Sequence, residues 1–453
     1  MAGMDGATGE MLDGARVFAG EWFCTPDPES ESIRGTLTFD GDGGTLDLPS
    51  AFSAGISDDG QTHTLFGRLT DGSLMTLPNA HHLGQSWNLH GVTRDTWGCF
   101  VALKGRWIPD DSVAEFQAFS LETECLRQWG GVRALPSRRE GTDGEIGLSI
   151  RLPAIVKASI PDLGSLTLWW GYSYSSGLEK STISVRPQWQ LSTAKPMTFD
   201  IAWQEFVVPL IHFMTLATGT HDRVIRFFAH TEDLSFKGIE HIGTVWQSTS
   251  DHGEHRPHEY LLPRQVVLER FEDLMVRWFH HSRDYRAALL RFFSVEESPS
   301  YYSDDSFDRV LRALEAWHRG KDAGLLMPHD DYDALLDAIS AAAPAHEQFL
   351  RQRLRHANSI SLKDRLDRML TLAASPVEPV ARRFPRLVRR SVDTRNGLAH
   401  LGDPGSHLKP SEMMQAQVIW QLVMRSVLLR EMGLSTEDVS GAIRRTRERY
   451  VLA

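Results

Sequence analysis

The sequence predicts an α+β multidomain protein, with an N-terminal antiparallel β-rich domain (a sandwich or a barrel-like sheet) followed by an all-α helical bundle. Three observations support this fold class. At 453 residues, the chain exceeds what one hydrophobic core usually organises. Its first half alternates apolar and polar residues in short runs that Gly and Asp separate. After Pro263, apolar residues instead recur at helical spacing.

The first half contains short segments rich in Thr, Trp and Phe, which favour strands with one solvated face. Two of them, 35–39 and 45–48, flank the turn residues 40–44 and predict a hairpin. A calcium loop is excluded there, because Gly44 and Ala51 occupy ligand positions. The other predicted elements are strands at 63–69, 73–77, 87–93, 97–104, 164–172 and 182–191, a packed helix at 198–218 and an extended stretch at 223–246.

The second half predicts an all-α bundle with no internal repeat. Ser361 and Ser435 each precede an acidic residue at the third following position, which is typical of helix N-caps. Helices are predicted at 264–294, 306–319, 331–342, 345–357, 361–374, 380–400, 411–432 and 436–450. We therefore predict a β-rich sensor or regulatory domain at 1–262, a helical connector at 263–300 and a helical bundle at 301–453.

Cysteine usage and hydropathy predict a cytoplasmic protein without a membrane partner. The three cysteines, Cys24, Cys99 and Cys125, have no CxxC spacing, which argues against disulfides and thiolate zinc sites. The N-terminus lacks the basic-then-apolar pattern of a signal peptide. The most apolar window, 206–217, is too short to span a bilayer.

Charge is distributed unevenly along the chain. The formal net charge is −11, yet residues 351–400 carry twelve Lys and Arg against four Asp and Glu. A local basic surface of this kind can concentrate polyanions while acidic regions repel them. Arg386, Arg389 and Arg390 are the best candidates for phosphate contacts. The alternative for most of these arginines is a solvated helical face with i,i+4 ion pairs.

One compact catalytic set stands out, Arg395-Asn396-x-x-x-His400. Histidine can accept the proton of a ribose 2′-OH or protonate the 5′-oxygen that leaves. Arginine can hold the nonbridging phosphate oxygens, and asparagine can orient the phosphate. Residues five apart lie about 140° apart on a helix. Either the helix ends or distorts near Gly397, or both side chains reach one cleft, which a two-fold dimer would supply.

Other candidate residues have ordinary structural readings as well. Glu315 and His318 could face the cleft or form an exposed pair, and Asp393 could buttress Arg395 or cap a turn. The loop 251–259 carries three His and three acidic residues that could bind Zn²⁺, but Gly253 and Pro257 favour an exposed loop. The pairs His81-His82 and His280-His281 are predicted surface or interface residues. Four aromatic residues of the β domain could form a binding face or belong to the core: Trp169, Trp170, Tyr172 and Tyr174.

Arg395-Asn-x-x-x-His400 in a late helix resembles the HEPN superfamily, whose pattern is Arg-x4–6-His. The whole chain resembles the ApeA-type proteins of anti-phage defence, which join an ApeA N-terminal domain to a HEPN domain. The stretches that carry this resemblance are Phe18–Pro26, Arg34–Phe39, Trp203–Thr218 with the β-like stretch to Trp246, and Leu311–Arg319.

The resemblance implies a metal-independent HEPN endoribonuclease that leaves 2′,3′-cyclic phosphates, needs no cofactor and acts by abortive infection. It implies Arg395 and His400 as the functional pair with Asn396 as polar companion, and Glu315 and Asp393 as accessory residues. Its partners would be RNA (tRNA is one candidate), a second copy of the chain in a homodimer or higher oligomer, and a phage-derived trigger. The alternative is a non-catalytic HEPN module that binds RNA or a partner, with the β domain as the ligand-recognition unit.

Overall fold

The computed structural model describes residues 10–12, 15–40, 42–53, 56, 60–88, 91–111, 114–132, 135–137, 147–149, 151–176, 180–231, 238–243, 259–297, 303–355, 357–373, 375–400 and 407–446. The chain divides into two compact units. Unit 1 takes its described residues from Met1–Met214, Asp222–His255 and Arg264–Val276, and unit 2 takes its own from Thr215–His221, Arg256–Pro263 and Arg277–Ala453. The predicted boundaries at 262 and 300 remain predictions. Unit 1 includes Arg264–Val276, which the sequence prediction assigns to the connector.

Unit 1 is built on antiparallel strands. They are β1 Glu10–Leu12, β2 Ala15–Phe23, β3 Ser32–Phe39, β4 Gly44–Leu48, β5 Thr62–Leu69, β6 Leu74–Asn88, β7 Gly91–Cys99, β8 Val101–Lys104, β9 Phe116–Thr123, β10 Leu135–Ser137, β11 Gly147–Ser149, β12 Val156–Ile160, β13 Gly164–Ser176, β14 Ser181–Met197, β15 Val224–His230 and β16 Ile239–Gly243. Six strands close a ring in the order β2–β3–β4–β7–β6–β5, because β5 pairs with both β6 and β2. Of the two predicted architectures, the barrel is the one observed.

The barrel closes around an apolar core in which alternate side chains point inward. Trp22, Leu37, Phe39, Leu46 and Leu65 are all buried in this cluster. Alternation places the intervening residues on the outer face, because successive side chains of a strand point to opposite sides. The predicted turn at 40–44 is confirmed, since the Asp40 carboxylate accepts hydrogen bonds from the backbone N–H groups of Asp42 and Gly43.

The sheet continues beyond the barrel in the order β6–β8–β16–β15–β9–β14–β13–β12. Six strands were not predicted from the sequence, namely β1, β2, β9, β10, β11 and β12, and neither was the short helix α1, Glu124–Trp129. Every predicted strand segment overlaps an observed strand. The strand predicted at 73–77 is longer than expected, because β6 runs unbroken from Leu74 to Asn88. The segment predicted at 87–93 is divided between the end of β6 and the start of β7.

The predicted helix at 198–218 is confirmed. It consists of α2 Phe199–Ala202, a π-helical turn Trp203–Val207 and α3 Val208–Thr218. Together they span Phe199–Thr218, 20 residues, so the prediction of a segment too short to cross a membrane is wrong on length. Of the most apolar 18-residue window, 67% is buried within the protein, a property that core helices of soluble proteins share.

The remaining helices cover every helical segment that the sequence predicts. They are α4 Arg264–Glu269, α5 Phe271–Asp284, α6 Arg286–Phe293, α7 Asp304–Lys321, α8 His329–Ala342, α9 Glu347–Leu354, α10 Leu362–Ala373, α11 Glu378–Ala381, α12 Leu387–His400, α13 Pro410–Glu431 and α14 Thr436–Arg445. The capping box at Ser435 is confirmed by reciprocal hydrogen bonds with Asp438. The last helix, predicted to continue to Tyr450, instead ends at Arg445, because Thr446 has an extended backbone; residues 447–450 lie outside the described residues.

Helix α13 forms the centre of unit 2. Its residues from Ala416 to Leu429 are all buried, which is typical of a helix surrounded by others. Arg425 lies inside this core and its guanidinium is 2.7 Å from the Glu296 carboxylate. Burial of both charges is tolerated because each neutralises the other. The α12 helix, which carries the catalytic motif predicted from the sequence, packs on α10 and α13.

Candidate active site

Helix α12 begins later than the sequence predicts. The expected single helix over 380–400 is interrupted between Ala381 and Leu387. Pro385 disfavours helical geometry at the residue before it, and Arg386 has a left-handed backbone with a φ of 56°. This break allows α12 to take a direction of its own, so Arg395 and His400 are positioned by a 14-residue helix rather than by a longer one.

Two buried polar side chains of α12, Ser391 and Thr394, fix the rotation of the helix about its axis. Ser391 accepts a hydrogen bond of 2.9 Å from the indole N–H of Trp420 on α13. One turn later, the Thr394 hydroxyl donates to the backbone carbonyl of Arg390 and accepts from the backbone N–H of Leu408, each at 2.8 Å. Because Ser391 and Thr394 are buried, these bonds hold one face of α12 against the core and leave Arg395 at its edge.

The Arg395 side chain is half-buried and lies between two carboxylates of α7. Its Nε is 3.4 Å from Asp308 Oδ1, and its Nη2 is 3.6 Å from Glu315 Oε2. Asp308 and Glu315 are seven residues apart, so two helical turns bring them to the same face of α7. The guanidinium is therefore oriented by two acids, each of which also pairs with an arginine of α7, Arg312 and Arg319 respectively.

His400 is the last residue of α12, and its side chain lies outside what the structure describes. The helix continues through Gly397 to His400, so the alternative in which it ends near Gly397 is wrong. On a regular helix, positions 395 and 400 are separated by about 140° around the axis. A phosphate that both residues contact must therefore lie in a groove with a second wall.

Asn396 and Asp393 are three residues apart and therefore lie close together on the surface of α12. The Asn396 side chain is exposed, next to Arg395 along the chain. Asp393 is two residues from Arg395, which places it about 200° around the helix, and its carboxylate is 3.8 Å from the Arg389 guanidinium. The prediction that Asp393 buttresses Arg395 is therefore wrong, and Asp308 and Glu315 occupy that position instead.

The three arginines predicted to contact RNA differ in their surroundings. Arg386 and Arg389 are exposed beside the first turn of α12. Arg390 is not available in the same way, because its guanidinium is 2.6 Å from Glu412 and lies over the Phe384 ring. Arg390 is therefore less accessible to RNA than Arg386 and Arg389, and its role as an RNA contact stays a prediction. Arg383 is a further exposed cation near this end of α12.

Sequence reasoning missed His407, whose ring lies against the backbone of Gly397. A Cβ atom at Gly397 would be 2.1 Å from His407 Cε1, so any larger residue at position 397 requires the His407 ring to move. Gly397 and His400 are three residues apart and share one face of α12. The His407 imidazole therefore lies beside the turn that carries His400. A glycine inside a helical motif was the available signal, since such a glycine often marks a close approach.

His318 does not face a cleft as the sequence suggested. It is buried, and its Nδ1 is 3.0 Å from the Nη1 of Arg365 on α10. Burial lowers the pKa of His318, and the positive charge of Arg365 lowers it further. The neutral imidazole accepts a hydrogen bond from Arg365, which also donates to the backbone carbonyls of Asp322 and Ala323. His318 is therefore part of the packing between α7 and α10.

The other histidine and aromatic candidates are dispersed. The loop 251–258 with its three histidines lies outside the described residues. Among the residues that the structure does describe, no group of three or more His, Cys, Asp or Glu side chains is arranged to hold a metal ion. Trp170 is buried and donates a hydrogen bond to the backbone of Gly130, whereas Tyr172 and Tyr174 are exposed on β13.

Comparison with known families matches both halves of the chain. A family model described as ApeA N-terminal domain 1 matches residues 17–278, more than half of the chain. A second model, described as Apea-like HEPN, matches residues 309–438, which include Glu315 and the Arg395–His400 motif. No curated protein and no solved structure matches the chain.

Proposed function

The chain belongs to the ApeA-type proteins, whose two matched domains support a HEPN-type defence effector, and from this premise we propose that it is an endoribonuclease that protects by abortive infection. The observation that carries the proposal is the position of Arg395 on α12, oriented by Asp308 and Glu315. Five residues later, α12 ends on the only histidine of the motif. The reaction proposed is metal-independent cleavage of RNA by its own 2′-OH.

Arg395 supplies the electrostatic part of this reaction. When the 2′-oxygen attacks the phosphorus atom, negative charge accumulates on the nonbridging oxygens. A guanidinium can contact both of these oxygens at once through parallel N–H donors. The two ion-pair distances of 3.4 and 3.6 Å are longer than the strongest charged hydrogen bonds, so N–H groups of Arg395 can turn to a phosphate while the carboxylates keep its orientation.

His400 supplies the proton transfers. As a neutral imidazole it takes the 2′-OH proton while the new P–O2′ bond forms, or as an imidazolium it protonates the 5′-oxygen while the P–O5′ bond breaks. The products are a 2′,3′-cyclic phosphate and a free 5′-hydroxyl. The ordinary pKa of histidine, about 6.5, suits both roles near neutral pH.

A two-fold dimer provides the second wall that the helix geometry requires. Because positions 395 and 400 are separated by about 140° around the axis of α12, one chain cannot easily direct both residues at the same phosphate. In an isologous dimer the ends of the two α12 helices meet, so Arg395 of one copy can act with His400 of the other. Exposed Arg386 and Arg389 would then hold flanking phosphates of the RNA.

Cells expressing the protein provide the test, because a gated nuclease need not act in isolation. Wild type, Arg395→Ala and His400→Ala are compared under phage challenge, and RNA ends that carry 2′,3′-cyclic phosphate are sequenced. We expect protection with new cyclic-phosphate ends in the wild type and loss of both in either variant. Arg291→Ala, which removes an exposed arginine of α6 that lies outside the motif and outside α12, is the matched control. Protection that persists in both motif variants would overturn the proposal.

A further inference from the structure

The outer face of the barrel in unit 1 contains a groove that the proposed ribonuclease reaction does not use. It has a volume of about 820 Å³, within the range of small-molecule sites. Its charged lining comes from five neighbouring strands and consists of Arg34, Arg68, Arg94, Glu21 and Asp47. Three arginines against two carboxylates leave an excess of positive charge in a protein whose net charge is −11.

Strand register explains how these side chains meet. Glu21 on β2 lies directly opposite Arg34 on β3 and Arg68 on β5. All three point outward, because the adjacent residues Trp22 and Ile33 point into the barrel core. Gly20 lies opposite Gly35 on the same two strands, and both contribute only backbone to the lining.

The two ends of the groove differ in how their charges are satisfied. Arg94 is committed to Asp47, whose Oδ1 lies 2.7 Å from its Nε and also accepts a hydrogen bond from Thr96. Arg34 and Arg68 instead share one carboxylate, and each lies 3.9 Å from a different oxygen of Glu21. That separation exceeds hydrogen-bond length, so the donor groups of these two guanidinium ions remain available to a ligand.

We propose that this groove binds the phosphoryl groups of a small ligand of nucleotide size, held between Arg34 and Arg68. Two guanidinium ions on one wall match the geometry of a phosphate or pyrophosphate better than that of a single carboxylate. The exposed apolar part of the lining, Ala19 and Pro49, would contact the uncharged part of the ligand. Glu21 acts as a built-in counterion that the ligand must outcompete.

Calorimetric titration of the full-length protein tests this site, with inorganic pyrophosphate, ADP and a six-nucleotide RNA as separate probes. We expect saturable binding of ADP or pyrophosphate that weakens about tenfold in Arg34→Gln or Arg68→Gln, because a charge-assisted contact is lost. Glu21→Gln should tighten binding, because it removes the competing carboxylate. Arg106→Gln, at an exposed arginine of unit 1 that does not line the groove, should leave the affinity unchanged.

Three results would overturn the proposal. The first is absence of saturable binding by both pyrophosphate and ADP. The second is binding that Arg34→Gln and Arg68→Gln do not weaken. The third is binding of the RNA alone, since the groove would then serve a nucleic acid. Because Arg34 is largely exposed, thermal unfolding of the variants should match the wild type and exclude misfolding as a cause. None of these results depends on ribonuclease activity.

Discussion

At the scale of single residues, the absence of a side chain at Gly397 allows His407 and Leu408 to pack closely against α12. The His407 ring occupies the space where a side chain at 397 would lie, and Leu408 then bonds to Thr394. We expect Gly397→Ala to lower the free energy of unfolding by about 1–3 kcal/mol, the usual cost of overpacking. In a His407→Ala background the same change should cost less, because the ring is gone.

Urea unfolding of the four proteins in this double-mutant cycle measures the coupling between Gly397 and His407. Gly441 on α14 is the matched control, because a Cβ there would meet only the flexible Arg445 side chain at 3.4 Å. Gly441→Ala should be neutral or stabilise the protein by up to about 1 kcal/mol through helix propensity. If Gly397→Ala and His407→Ala lowered the free energy of unfolding additively, the close contact between position 397 and the His407 ring would be contradicted.

The residues of the candidate site that are close in sequence could be predicted, whereas those brought together by packing could not. Arg395, Asn396 and His400 are contiguous enough to be recognised as a motif. Asp308 lies 87 residues before Arg395, so only the packing of α7 beside α12 brings them together. Asp393 is only two residues from Arg395 along the chain, yet this spacing places it on the opposite side of α12. Closeness in sequence therefore did not identify the carboxylates that contact Arg395.

At the scale of elements, the junction of α7 and α10 depends on a neutral histidine. Burial and the Arg365 charge lower the pKa of His318 below its ordinary value of about 6.5. The folded state therefore binds a proton at His318 less readily than the unfolded state does. The stability from this site is fully present above about pH 6.5 and is lost as the pH falls toward the lowered pKa.

Urea unfolding between pH 7.5 and pH 5 tests this dependence. We expect His318→Gln, whose amide oxygen can still accept from Arg365, to lose less stability on acidification than the wild type does. Exposed His329→Gln, which removes no buried hydrogen bond, serves as the comparison. An identical decline in the wild type and in His318→Gln would show that His318 does not set the acid sensitivity.

Element boundaries were predicted best where local chemistry defines them. The Ser435 capping box and the Asp40 turn depend on residues two or three apart, and both are observed. The break before α12 was missed although Pro385 was visible, because the left-handed backbone of Arg386 is set by the packing around it. β9 was missed although Phe119 to Glu122 alternate apolar and polar residues. Its Ser120 and Glu122 are buried and bond to His230 and Gln188, partners that are distant along the chain.

At the scale of the whole molecule, barrel closure could not be distinguished from a sandwich by sequence. Both architectures predict the same alternating strands, and the difference is a single pairing between β2 and β5. That pairing joins Phe23 to Phe66, far apart along the chain, and no local signal reports it. The composition of the two halves was sufficient, however, to predict the β-rich and helical regions in their order.

The central claim is a ribonuclease site that Arg395 of one copy and His400 of another form together. Co-expression of Arg395→Ala with His400→Ala under phage challenge tests it directly, with new 2′,3′-cyclic phosphate ends as the readout. Half of the dimers are then mixed, and each mixed dimer has one complete site. We predict recovery of about a quarter of the wild-type signal, although each variant alone gives none. Absence of recovery, with mixed dimers present, would contradict a site shared between copies.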